Sequence, residues 1–296
     1  MPNPQARTAT LESKRLRLQV TPEFGARVTG LTDLATGRQW LVEGGQHGGG
    51  EAVIYGKRQA VGWDECLPTV APCRDPSGEA MLRDHGAFWG RRWDCRQTGS
   101  SLIGTCEQSG FRLSRGLHLN GPTLVAGYEV TNLADTTLPF MWSQHCLLAA
   151  RPGERIEIQG VENFRFTDAG IGGRRIPGQS FIWPYLNDPE MDLSEVRSID
   201  AEMAVKIYGE AGKRVTARVG KAGGFLTLSW SGDQIPGIGV WLDYGGWPEG
   251  DVTHQIAIEP TTAPVDDLSE ACREGLADWL DPGERRSWVV VMSVGN

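Results

Sequence analysis

The 296-residue chain lacks any run near the ~18 consecutive apolar residues that a membrane-spanning helix requires. Its opening residues, MPNPQARTATLESKRLRL, hold neither an apolar signal core nor a small-residue cleavage site, so an unexported, cytoplasmic protein is expected. The six cysteines, at 66, 73, 95, 106, 146 and 272, form no C-x-x-C pair. Neither a zinc clip nor a redox pair is indicated, and free, mostly buried thiols are the expectation. Basic residues do not cluster beyond pairs such as Arg91-Arg92 and Arg174-Arg175, and 29 Lys plus Arg against 37 Asp plus Glu leave a net charge of −8. That balance lacks the electrostatic footprint of a nucleic-acid binder. Long amphipathic helical patterns, internal repeats and low-complexity linkers are missing as well.

What is present points to strands. A 40% apolar content with so modest a charge supports a packed core rather than disorder. The 39 glycines and 17 prolines punctuate short runs rich in Val, Ile, Leu, Thr and Trp. Leu16, Leu18 and Val20 alternate with Arg17 and Gln19, and after the Pro22 to Gly25 turn the chain returns through Val28 and Leu31, an opening hairpin. Leu124, Ala126, Tyr128 and Val130 alternate in the same way, and a turn over 132–139 then leads into the run 140–148; this predicts a second hairpin. Further strands are predicted at Phe225 to Trp230, Gly239 to Leu242, His254 to Ile258 and Trp288 to Val294, with one short helix near Leu268 to Leu276. We read residues 1–10 as a flexible tail and 11–296 as one large antiparallel all-β sandwich domain.

Only five histidines are available for acid–base work. His47 lies among glycines and His118 in an ordinary strand, whereas His254 opens a strand and could face a pocket. His85, in RDHGAFWGRRW, keeps the company of tryptophans and arginines that suits a sugar-sized polar ligand, although a loop packed by Trp89 and Trp93 explains it too. His145, inside WSQHCLLAA, is buried by context and needs either a structural hydrogen-bond partner or a proton-donating role. Glu259 follows the apolar run IAI and precedes a proline, a position that delivers a carboxylate to a sheet edge or pocket mouth.

Five segments taken in order resemble one family, the aldose 1-epimerases or galactose mutarotase-like proteins: LRLQVTPEFGARVTGLTDLATGRQWL, GWDECLPTV, DHGAFWGRRW, YEVTNLADTTLPFMWSQHCLL and IAIEPTTAPVDDL. The resemblance implies a galactose mutarotase-like supersandwich with His145 as general acid, Glu259 as general base and His85 as a second imidazole that binds the sugar. It implies no cofactor and no metal. A base takes the proton of the C1 hydroxyl while an acid protonates the ring oxygen, the ring opens, and reversal closes the other face. The family's sugar-binding arginine and aspartate have no counterpart here, and HGAFW replaces the HGG-type loop of galactose-specific members. Lys57, Arg58, Asp64 and Glu65 are candidate replacement contacts, with Lys57 and Asp64 preferred, and Trp183, Trp241 and Trp247 offer stacking faces, with Trp241 preferred. The expected partner is a free aldose or aldose derivative bound by a monomer or homodimer, with no nucleic acid and no membrane. Another carbohydrate epimerase or lyase on the same fold, or a non-catalytic sugar-binding module, are the alternatives.

Overall fold

The computed structural model describes residues 7–44, 54–56, 58–167, 179–186 and 191–295. The alternating apolar runs form strands β1 (Ala9–Glu12), β2 (Leu16–Thr21), β3 (Arg27–Asp33), β4 (Arg38–Gln39), β5 (Trp63–Cys66), β6 (Cys73–Arg74), β7 (Met81–Leu82) and β8 (Asp94–Thr98). They continue as β9 (Ser101–Gln108), β10 (Phe111–Asn120), β11 (Thr123–Asn132), β12 (Leu138–Phe140), β13 (Ser143–Leu148), β14 (Arg155–Gln159), β15 (Asn163–Phe166) and β16 (Ser180–Ile182). The chain ends with β17 (Met203–Glu210), β18 (Arg214–Lys221), β19 (Gly224–Ser231), β20 (Gly237–Tyr244), β21 (His254–Thr261), helix α1 (Leu268–Glu274), β22 (Asp278–Leu280) and β23 (Arg285–Gly295). Pairing begins at Ala9, which bonds opposite Val20, within the stretch that the sequence left as a tail.

Two large sheets make the all-β sandwich. One runs β1-β2-β3-β5-β13-β21-β20-β17-β15-β16, with β4 attached to β3, and the other runs β14-β18-β19-β23-β11-β10-β9-β8. Their facing sides interlock through fully buried aromatics: the Trp142 ring lies 4.7 Å from Tyr128 and 4.9 Å from Trp288, centroid to centroid. A polar centre sits inside this core. Glu65 accepts from the Arg115 guanidinium at 2.8 Å and from the indoles of Trp63 and Trp142, both at 2.9 Å, with the Tyr128 hydroxyl at 3.2 Å. Burial outweighs these donors and raises the Glu65 carboxyl to about 7, at 0% side-chain exposure of both partners.

The opening hairpin forms as expected, β2 against β3. The second does not. β11 and β13 belong to different sheets, because the apolar face of β11 must close the second sheet beside β23 while β13 fills the gap between β5 and β21. The turn is in truth a crossover between layers. Helix α1 is short, opened by Asp267, which accepts from the Glu270 amide, and closed by Gly275 at a left-handed φ of 72°. No helix among the described residues is long and apolar enough to cross a membrane. All six cysteines are free thiols, and four of them, Cys66, Cys73, Cys106 and Cys146, are buried.

Candidate active site

Strand register lines up a row of polar side chains across the larger sheet. Asp64 on β5 stands opposite His145 on β13, and the pairs Ser143–Thr261 and Leu147–Ala257 bracket His145 and Glu259, which puts those two side by side. Glu259 in turn faces Gly239 on β20, and Gly239 faces Tyr208 on β17. Opposed residues on paired strands project from the same face, so the row lies on the face turned away from the Glu65–Arg115 core.

Over that row opens a cavity of about 330 Å³ whose walls include Tyr55, His85, His145, Lys206, Trp241 and Glu259. Its apolar floor is Ala60 and Leu147, backed by the buried Ala257, with Tyr55, Trp241 and Trp247 packed around them. A larger groove of about 630 Å³ at the β15–β17 edge carries Glu162, Arg165 and Glu210 but no imidazole. The chemistry therefore concentrates in the smaller cavity.

His145 is held from behind. Its Nδ1 lies 3.1 Å from Asp64 Oδ1 and 3.2 Å from the Tyr55 hydroxyl, and Asp64 is itself held by Arg27 at 2.5 Å. Burial alone would raise the Asp64 carboxyl, but the Arg27 charge and the His145 bond outweigh it and bring it down to about 2. An ionised Asp64 accepts the Nδ1 proton, fixes the ring and leaves Nε2 as the nitrogen available to a ligand. The second imidazole is close: His85 and His145 centroids are 4.5 Å apart, and Tyr55 stacks on His85 at 3.6 Å. Burial and the neighbouring His145 lower the His85 pKa, against the opposing pull of Asp84 at 2.9 Å. His85 also sits at φ 59°, a left-handed conformation that non-glycine residues seldom adopt, and Gly86 follows at 71°. A Cβ on Gly86 would lie 2.1 Å from the Leu67 carbonyl oxygen, so glycine is required where this loop crosses β5's end.

Glu259 is 1% exposed and ion-paired through Oε2 with Lys206, while its Oε1 has no hydrogen-bond partner. Burial pushes this carboxyl up, and the charges of Lys206 and His145 more than reverse that, so its pKa falls below the ordinary glutamate value. The site thus presents an ionised carboxylate with one free oxygen beside an imidazole whose far nitrogen is fixed.

No family model matches the chain, and no curated protein does. Solved structures do match over nearly its whole length. A candidate aldose 1-epimerase of Escherichia coli K12 is 18% identical with a TM-score of 0.73, covering 98% of this chain and 99% of that one. A galactose mutarotase-like protein of Lactobacillus casei is 15% identical with a TM-score of 0.70, covering 98% and 100%. A galactose mutarotase related enzyme of Lactobacillus acidophilus is 13% identical with a TM-score of 0.71, covering 98% of each. The chain has the galactose mutarotase-like fold.

On this mutarotase-like sheet, His85, His145, Trp241 and Glu259 all line the one cavity. Glu259 is not at a strand end, however: β21 continues through Pro260 to Thr261, and the carboxylate rises from mid-sheet. Asp64, expected against the sugar, sits behind His145 instead, 1% exposed and outside the cavity wall, because its two oxygens are taken by Arg27 and His145. Lys57 and His47 lie outside the described residues. Glu65 points into the core, Arg58 and His254 line a neighbouring cavity, and Trp183 packs on Phe164. Trp247 does reach the cavity. His118 bonds Ser101 at 2.8 Å on the surface. The sequence reading missed Tyr55, Asp84, Lys206, Gln255 and Asp266. Lys206 alone left a legible mark, a lysine in the run AVKIYG where strand neighbours are apolar.

Proposed function

We propose that the protein is a cofactor-independent aldose 1-epimerase-type isomerase that interconverts the anomers of a free aldose. The observation that carries this reading is the pairing of His145 and Glu259 on adjacent strands of one cavity, with Asp64 fixing the imidazole and Lys206 fixing the carboxylate. Glu259 Oε1 accepts the proton of the C1 hydroxyl, and His145 Nε2 delivers a proton to the ring oxygen. The C–O bond to the ring opens, C1 turns about the C1–C2 bond, and the reverse transfers close the opposite face. Asp64 orients the His145 ring through Nδ1, and the Lys206 charge keeps Glu259 ionised near neutrality. His85 and the indole faces of Trp241 and Trp247 hold the sugar. Spontaneous mutarotation is already accessible, and two positioned proton-transfer groups contribute ~10²–10⁴-fold each.

Saturation-transfer NMR between the α and β anomeric protons of a panel of aldoses tests the reading. Exchange well above the uncatalysed rate is expected with at least one sugar. Exchange at the spontaneous rate for every sugar rejects it.

A further inference from the structure

A second cavity of about 390 Å³ adjoins the first and shares two of its walls, Ala60 and Gln255. Its other sides bring Val42, Val61, Arg58, Asp251 and His254. The two are connected along β21. Glu259, Ala257 and Gln255 alternate with Ile258 and Ile256, so all three project from the cavity face of the sheet. At about 3.3 Å per residue, Glu259 and Gln255 stand about 13 Å apart along the strand, more than twice the length of one pyranose ring. Between them lies the apolar floor of Ala60 and Leu147 over the buried Ala257, flanked by Trp241 and Trp247 set edge to face with centroids 6.3 Å apart.

Gln255 marks the far end of this path. It is 1% exposed, and its side-chain Oε1 is buried without a hydrogen-bond partner. A buried amide oxygen left unpaired is costly, and a ligand hydroxyl arriving at the junction of the two cavities satisfies it. Charge narrows the ligand. Among the described lining residues the carboxylates of Glu43, Asp84, Asp251, Glu259 and Asp266 outnumber the cations Arg58 and Lys206. A phosphate or carboxylate substituent meets repulsion there, whereas a ring of hydroxyls over an apolar floor is matched.

Resting on the anomer-exchange reading above, we propose that the natural substrate is a neutral reducing disaccharide: its reducing ring lies over His145 and Glu259, and its second ring reaches the cavity beyond Gln255. A monosaccharide fills only half of this cleft.

The test compares kcat/KM for anomer exchange of maltose, cellobiose and lactose with that of glucose, galactose and glucose 6-phosphate, each corrected for its spontaneous rate. At least one disaccharide is expected to exceed glucose and galactose by tenfold or more, and the phosphate ester to fall below glucose. Gln255→Leu, and separately Asp251→Trp at the exposed rim of the second cavity, are expected to cut the disaccharide-to-monosaccharide ratio by tenfold. Monosaccharides equal to or better than every disaccharide, or a ratio unmoved in both variants, overturn the proposal and leave anomer exchange standing. A phosphate ester that outpaces glucose and the disaccharides overturns it also. No exchange with any sugar removes the reaction itself, and the proposal with it.

Discussion

Lys206 and Glu259 meet across a strand that neither belongs to. Lys206 rises from β17 and Glu259 from β21, with β20 between them, and the residue of β20 opposite Glu259 is Gly239. A Cβ at Gly239 would stand 2.9 Å from both Glu259 Oε2 and the Tyr208 ring, so the glycine clears the path by which the carboxylate leans toward the lysine.

Gly239→Ala is therefore expected to displace the Glu259 carboxylate, and an error of about 1 Å in a catalytic group costs up to ~10²-fold in rate. Exchange should fall while the folded spectrum is retained, and alternative placement of Glu259 should be visible in a crystal structure of the variant. Unchanged exchange places the base elsewhere.

Glu259→Gln keeps the size and hydrogen bonding of the side chain but removes its basic lone pair. Anomer exchange is expected to drop by at least ~10²-fold with sugar affinity little changed, as line-broadening titrations can measure.

Lys206→Met removes the charge that depresses the Glu259 pKa, leaving burial to raise it. The acid limb of the kcat/KM profile should then move to higher pH, and Lys206→Arg should restore it. A loss of rate with an unmoved limb would mean that Lys206 acts only by packing.

Asp64 couples the site to acid stability. Its carboxyl drops from an ordinary value of 3.8 to about 2 on folding, so its contribution is complete above pH ~4 and disappears as pH falls through about 2. That difference amounts to about 2 kcal/mol. Urea titrations of Asp64→Asn should show a reduced loss of stability between pH 4 and 2 relative to the wild type.

Much of this was legible in the chain, for reasons that differ by residue. The β2–β3 hairpin was readable because strict alternation and a Pro22–Gly25 turn specify both strands and their join. The β11–β13 crossover was not, since alternation reports that a strand is half buried but not which sheet buries it. His145 and Glu259 stood out as polar groups in apolar strands. Tyr55 and Asp266 did not, because loop residues reach the site through turns that carry no periodic signal. Asp64 and Glu65 were indistinguishable as neighbours in WDEC; only the pleat decides which faces His145 and which faces Arg115.

Arg115→Met leaves the Glu65 carboxylate buried without its cation. Breaking such a pair costs up to about 3–5 kcal/mol, less where Glu65, whose carboxyl burial already raises to about 7, takes up a proton, and chemical denaturation should report the loss. Arg115→Met combined with Glu65→Leu should recover a good part of it, as replacing both charges by apolar groups relieves the stranded anion.

The short strand β5 is a two-sided element, with Asp64 serving one face of its sheet and Glu65 the other. A slip of one residue in its pairing with β13 would exchange the two carboxylates, pulling Asp64 into the core and driving the longer glutamate against His145. Arg115 and the two indoles that grip Glu65 thus act as a register lock, and the geometry of the proposed proton-transfer site on one face is guarded by a salt bridge buried on the other.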